Sequence, residues 1–241
     1  VSAILIIGGL DPTGGAGLLR DAWTIETRAC MAELHVIVAV LTVQGRGRPA
    51  SGYPVARAQL ERELERADAL ELEAVKLGAL ADAHVEPLMS ALGRWRARGT
   101  QVVLDPVMRA SDGGTIGASP AGLHALADHV DLITPNPDEL AALARVGPLR
   151  CATLAKSEPA LPDAVRDRLI LPEGAEHVFE RPRVPGPDPR GTGCALASAI
   201  ACELARGLAL PLACERAIAW LDAARRRLVL GPDGRWQLAV E

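Results

Sequence analysis

The sequence predicts an α/β protein with a mainly parallel sheet. Three observations carry this. Short continuous apolar runs alternate with longer segments of helical periodicity. Several of the apolar runs stop at Gly, Asp-Pro or Pro-Asn, as strands do where they enter a loop. The polar residues collect just after those runs, at what would be the C-terminal ends of the strands.

In chain order, Ala3–Ile7 is a buried strand bounded by Gly8-Gly9, followed by the glycine-rich loop Leu10–Gly17. No Lys-Ser/Thr follows those glycines and their spacing is not GxGxxG, so neither nucleotide-loop signature applies. A helix is expected over Leu18–Met31, then a strand over His35–Val43 that ends at Gln44 and a flexible Gly45–Pro49. Val55–Ala69, rich in Glu and Arg at helical spacing, reads as an exposed helix. Ala74–Gly78 is a short strand and Val85–Arg98 a helix stopped by Gly99. Gln101–Met108 is a strand with Asp105-Pro106 near its end, followed by a glycine-rich loop over Ser111–Thr115. Pro120–Ala127 is a helix, Val130–Thr134 a strand, and Pro137–Ala144 opens another helix. Between Val146 and Pro189 the pattern weakens; strands are expected near Ala152–Ala155, Leu169–Leu171 and His177–Glu180. No repeat or linker divides residues 1–241, which read as one domain.

The stretch from Asp188 to Gly207 stands out. Gly191-Thr192-Gly193-Cys194 precedes an alanine-rich helical run closed by Gly207. Backbone N–H groups in a first helical turn have no intrahelical partner, and the helix dipole adds positive charge. Glycines let an anion approach them closely. The turn is therefore a candidate holder for a phosphate; the alternative is a tight turn with Cys194 as a packing residue.

Around it the strand ends supply Asp11, Gln44, Lys76, Asp105, Asn136 and Glu139. Each has a structural alternative: turn residue, surface amide, snorkelling lysine, strand stop, or an N-cap with its capping-box partner. Their common location favours phosphoryl transfer, which needs carboxylates for Mg²⁺, an anion hole and a base near the acceptor hydroxyl. Cys194 occupies the place of that base. A thiol pKa of about 8.5 falls at a helix N-terminus, so a thiolate is expected there.

Composition removes other classes. A net charge of −4 without a basic tract argues against nucleic acid, and no apolar run nears the roughly 18 residues of a membrane span. Ala3–Ile7 lacks a basic flank and is not expected to be a signal peptide. Five cysteines without a CxxC pair suggest reduced thiols in the cytoplasm, and the five histidines show no zinc spacing.

Taken together, Gly9–Gly17 with Asp21, Leu41–Gln44, Ala74–Gly78, Val103–Met108, Ile133–Glu139 and Gly191–Cys194 resemble, in order, the hydroxymethylpyrimidine/phosphomethylpyrimidine kinases of thiamine biosynthesis, in the ribokinase-like superfamily. The resemblance implies a three-layer α/β/α fold, Mg-ATP as donor, a small pyrimidine alcohol as acceptor and a homodimer. It implies that Gly9, Ala16, Asp21, Gln44 and Val107 line the pyrimidine pocket, with Gln44 and Asp21 as polar contacts. It assigns Asn136 and Glu139 to Mg²⁺ and the phosphates, Asp105 to the same metal, and Lys156 to the nucleotide strand. The sequence also departs from the family. Ala79 stands where Met is usual, no Lys follows Met108, and Arg190 replaces His before Gly-Thr-Gly. Lys156-Ser-Glu-Pro159 stands for Lys-Gly-Gly-His, and the segment after it is short. The acceptor half thus looks better kept than the donor half. Rival readings are a kinase of another small alcohol such as pyridoxal or a sugar, a non-catalytic pyrimidine binder, and a thiol acyltransferase built on Cys194, for which no partner His is evident.

Overall fold

A computed structural model describes residues 2–28, 32–44, 49–110, 112–157 and 163–240. The expectations for Met31, for 45–48, for Ser111 and for Glu158 and Pro159 lie outside these residues.

The first strand, β1 (Ser2–Leu10), is buried along nearly its whole length, as an apolar run without alternation requires. Its side chains divide by parity. Ala3, Leu5 and Ile7 face one core, Ile4 and Ile6 the other. The same rule holds in β4 (Glu71–Leu77), where Val75 and Leu77 oppose Ala74, and in β5 (Gln101–Leu104), where Val102 and Leu104 oppose Val103. Lys76 and, just past β5, Asp105 therefore belong to the second face.

Helices cover both faces. The first carries α2 (Arg57–Ala67), α3 (Val85–Arg96), α4 (Pro120–Ala127) and α5 (Pro137–Ala144). The second carries α1 (Gly17–Thr27), α6 (Thr192–Ala205) and α7 (Leu210–Ala224). The result is three layers, α/β/α. Every residue from Ala195 to Leu204 is buried, which explains why α6 is rich in alanine: it lies in the middle of its layer with neighbours all round.

The sheet also contains β2 (Glu33–Val43), β3 (Ser51–Pro54), β6 (Leu132–Ile133), β7 (Ala152–Ala155), β8 (Ala164–Ile170) and β9 (Glu176–Pro182). Its order is β3-β2-β1-β4-β5-β6-β7-β8-β9. Pairing is parallel from β2 through β7 and antiparallel at both edges. The outer strands carry the cross-strand pair Arg166–Glu180, 2.6 Å, the kind of charge that discourages edge-to-edge pairing. A separate two-stranded hairpin, β10 (Leu228–Leu230) and β11 (Trp236–Leu238), follows α7.

The helices over 120–127 and 137–144 match their expected bounds, each opened by a side-chain cap and a proline. Ser119 accepts from Gly122 N at 3.2 Å, and Asn136 and Glu139 exchange reciprocal 2.9 Å bonds. Other bounds move. The helix expected to start at Leu18 begins at Gly17 and ends at Thr27. The strand expected to reach Met108 stops at Leu104, because Pro106 has no N–H to continue the ladder. Residues 51–54 form an edge strand that had no counterpart in the sequence reading. Among the described residues no helix is long and apolar enough to cross a membrane.

Candidate functional site

Strand order reverses direction at β1, which has β2 on one side and β4 on the other. Such a switch opens a crevice beyond the strand C-termini. A cavity of about 250 Å³ lies there. All of the expected site residues line it: Gly9, Ala16, Asp21, Gln44, Val107, Asp105, Asn136, Glu139, Lys156, Gly191, Thr192, Gly193 and Cys194. So do Thr42, Ala79, Arg109, Ile116 and Arg190.

Gly191 caps α6 with φ +75°, and a Cβ there would stand 2.2 Å from the Gly15 carbonyl oxygen. Only glycine fits both constraints. Gly193 lies against the Lys156 ammonium, which a Cβ would approach to 3.2 Å. On the other side of this turn is a second cavity, of about 320 Å³, lined among others by Ser157, Arg181, Arg183 and Arg225. Lys156, Pro189, Thr192 and Gly193 border both cavities. The orphan N–H end of α6 therefore stands at the junction of two compartments.

Beneath the turn lies a buried ion pair. Lys76 is 0% exposed and Asp21 1%, with Nζ 2.7 Å from Oδ2. Ser198 Oγ donates to the other Asp21 oxygen at 2.9 Å. Burial alone would lower the Lys76 pKa; Asp21 outweighs it and holds the ammonium charged. Asp21 lines the cavity, but both its oxygens are engaged by protein donors, which makes it first the counterion of Lys76 and limits it as the direct ligand contact the resemblance implied.

A second charged group sits between the two cavities. Lys156 Nζ is 3.2 Å from Asp105 Oδ1, which Thr134 Oγ1 also approaches at 3.4 Å. Burial disfavours the Lys156 ammonium, and Asp105 and Glu139 restore it to above its ordinary value. Burial pushes the Glu139 carboxyl up to about 7; Lys156 pulls it down and Asp105 adds to the rise. Glu139 also caps α5 through Oε2, so its structural role and its place in the cavity coexist.

The surroundings of Cys194 oppose the expected thiolate. Burial pushes the Cys194 thiol up to about 12, with Lys76 pulling the other way. The helix N-terminus and a nearby ammonium do not offset desolvation, so the resting group is the neutral thiol.

On the donor side, Ser157 has φ +55°, the single non-glycine residue with positive φ among those described. It occupies a left-handed conformation that favours glycine. Asp167, 2% exposed, accepts from Ser157 N at 2.7 Å and pairs with Arg181 at 2.8 Å, holding the turn in place.

Sequence reasoning missed the role of Arg190 and all of the C-terminal hairpin. Asp11 is chiefly a turn residue, accepting from Thr13 N at 2.9 Å, Thr13 Oγ1 at 2.8 Å and Ala16 N at 3.1 Å. Arg190 then reaches Asp11 Oδ2 at 3.0 Å, Thr13 Oγ1 at 3.1 Å, Asp233 Oδ2 at 2.5 Å, and Gln44 Oε1. The one signal in the sequence was that Arg190 stands where the family has His.

Comparison with known proteins matches this architecture. The family model described as phosphomethylpyrimidine kinase matches residues 11–160 and 150–234. The thiamine biosynthesis multifunctional protein ThiED of Corynebacterium efficiens is 32% identical over 243 aligned residues, covering 92% of this chain and 32% of that protein. The chain thus spans about a third of the length of such multifunctional relatives. The hydroxymethylpyrimidine/phosphomethylpyrimidine kinase of Salmonella typhimurium is 30% identical, covering 91% of this chain and 89% of that one. Among solved structures, pyridoxal kinase from Staphylococcus aureus in complex with ADP superposes with a TM-score of 0.82 at 21% identity, over 99% of this chain and 93% of that one. At that identity it speaks for the fold, which is ribokinase-like. The cavity at the switch point, the glycine turn at its floor and the matched sequence together make this chain a member of the phosphomethylpyrimidine kinase family.

Proposed function

We propose that the chain is an ATP-dependent kinase of 4-amino-5-hydroxymethyl-2-methylpyrimidine, of its monophosphate, or of both, serving thiamine biosynthesis. One observation carries the reading: the Gly191–Cys194 turn stands at the junction of two cavities. A phosphoryl group passing from a donor in one to an alcohol in the other would cross the N-terminal N–H groups of α6.

The site does this chiefly by position and charge. As the acceptor oxygen bonds to the γ-phosphorus, giving up its proton to solvent, and the bridging P–O bond breaks to release ADP, negative charge spreads over the equatorial oxygens. The α6 amides and Lys156 are the groups that stabilise it. Asp105 and Glu139 suit a Mg²⁺ ion held partly through water, because a divalent cation would offset the burial and the neighbouring Asp105 charge that raise the Glu139 carboxyl. Such an ion would neutralise charge on the donor phosphates. Cys194 meets the acceptor as a thiol, so its role as proton acceptor is not supported by its resting state. Gln44, Val107, Gly9 and Ala16 are read as the walls of the pyrimidine compartment, and Asn136 with Lys156 as nucleotide contacts.

Residues 1–241 are read as one kinase domain, supported by the continuous sheet. The homodimer rests on the family resemblance, and the cytoplasmic setting on reading the five cysteines as reduced thiols. ADP release should be followed with the pyrimidine alcohol, its monophosphate and pyridoxal as acceptors. The proposal expects ADP with a pyrimidine and a far lower rate with pyridoxal; the opposite preference would overturn it. A second reading, a pyrimidine binder without turnover, draws on Ser157 alone, and predicts pyrimidine binding with no ADP from any acceptor.

A further inference from the structure

We propose that Arg190 is a positioning residue that determines specificity, by locking the Gln44 side-chain amide in one orientation. The inference rests on the pyrimidine-kinase reading and adds a residue to its acceptor site.

The orientation follows from donor and acceptor counting. A guanidinium only donates, so the Gln44 atom that meets Arg190 Nη2 must be its oxygen. At the other end, Thr42 Oγ1 donates its proton to the Leu10 carbonyl at 2.8 Å, and so it accepts from Gln44 Nε2 at 3.0 Å. Both contacts give the same answer: oxygen toward Arg190, nitrogen toward Thr42. Arg190 is itself immobilised. It is 6% exposed and held by Asp11, Thr13 and Asp233, while its backbone N–H donates to the Trp236 carbonyl at 2.9 Å. Asp233 and Trp236 belong to the C-terminal hairpin, which Arg20 Nη2 ties down through Leu238 O at 3.0 Å. The hairpin thereby acts on the acceptor pocket through one side chain.

The lock matters because an amide is ambiguous. It presents a donor beside an acceptor, and turning it by 180° exchanges them. One orientation complements an aminopyrimidine edge, a ring nitrogen that accepts beside an exocyclic amine that donates. The reverse complements the 4-oxo tautomer, a ring N–H beside a carbonyl. A free amide serves both heterocycles. A locked one serves one and faces the other with two mismatched polar groups, a discrimination of roughly tenfold or more.

The test compares 4-amino-5-hydroxymethyl-2-methylpyrimidine with its 4-oxo counterpart as ligands and acceptors of the full chain. In the wild type, affinity for the amino compound should exceed that for the oxo compound by roughly tenfold or more. Arg190→Met should bring the ratio within about threefold, chiefly because the KM of the oxo compound falls toward that of the amino compound. Because that variant removes the guanidinium facing Asp233 Oδ2, though Arg235 N still donates to Oδ1 at 3.1 Å, Arg190→Met with Asp233→Leu is the companion; Asp11 keeps its donors from Thr13 and Ala16 in both. A general loosening of the fold would weaken both ligands alike and leave their ratio unchanged. The inference is overturned if either folded variant retains the wild-type ratio. It is overturned equally if the wild type binds both compounds within threefold, a result that leaves the kinase reading standing. Failure of the wild type to bind either pyrimidine would instead remove the kinase reading, and this inference with it.

Discussion

Replacing Lys76 with methionine should be among the most damaging single changes to this protein. The ammonium is fully buried and 2.7 Å from an equally buried carboxylate. At an effective dielectric near 20, unit charges at that separation attract by about 6 kcal/mol, most of it offset by the cost of taking both from water. Methionine removes the attraction and leaves the desolvated Asp21 behind, with only Ser198 as a donor. Breaking a buried pair in this way costs about 3–5 kcal/mol. For a chain of this size that is a fall in Tm of roughly 6–20 °C. Lys76→Met combined with Asp21→Asn should recover most of the loss, since no buried charge remains. The pH dependence has a definite sign. Burial holds the Asp21 pKa above its unfolded value even with Lys76 in place, and removing Lys76 takes away what pulls it down. Its protonated form is then favoured in the folded state, so stability is present at low pH and lost as pH rises through the folded pKa. The deficit against wild type should therefore shrink toward acid. Urea unfolding of the single and double variants at several pH values measures this. A single variant within about 1 kcal/mol of wild type, or a double variant no better than the single, would refute the reasoning.

Three other outcomes follow from the site. Ser157→Gly should raise stability by about 0.5–1 kcal/mol, because it relieves the left-handed strain at φ +55° while the backbone bond to Asp167 remains; a loss of stability in urea unfolding would count against it. Cys194 should react with iodoacetamide at pH 7.5 roughly 50- to 100-fold more slowly than an ordinary thiol, even before access is considered, because its pKa is about 12; labelling faster than a free thiol, read by peptide mass spectrometry, would restore the thiolate. Glu139, raised to about 7, contributes stability present below about pH 4.5 and lost as pH rises to about 7, and the same window should show Mg²⁺ affinity rising with pH. Glu139→Gln should flatten both curves, and unchanged curves would mean that another group carries the effect.

Local features of this fold were legible in the sequence where one residue type has one use. Pro120 and Asn136-Pro137 marked helix starts, because a proline suits the first helical position and a capping side chain the one before it. The Gly-Thr-Gly turn was legible because little else suits a left-handed cap on an alanine helix. What could not be read was set by distance along the chain. Residues 51–54, with glycine and proline, have no strand signature; they become a strand by pairing with the edge of β2. The region after Gly207 offered no motif, yet its hairpin brings Asp233 to Arg190 across 43 positions. Cys194 failed for another reason. Sequence shows a helix N-terminus, which lowers a thiol pKa, but it does not show burial, which here outweighs both that and the Lys76 ammonium that the fold brings near.

The central claim is that a phosphoryl group crosses the Gly191–Cys194 turn from one cavity to the other. Phosphorus-31 NMR of the full chain with Mg-ATP and 4-amino-5-hydroxymethyl-2-methylpyrimidine tests it most directly. The account predicts a new phosphomonoester signal growing in step with ADP, absent when either ligand is omitted. ATP left intact while the pyrimidine is bound, or ADP appearing with inorganic phosphate and no phosphomonoester, would contradict it.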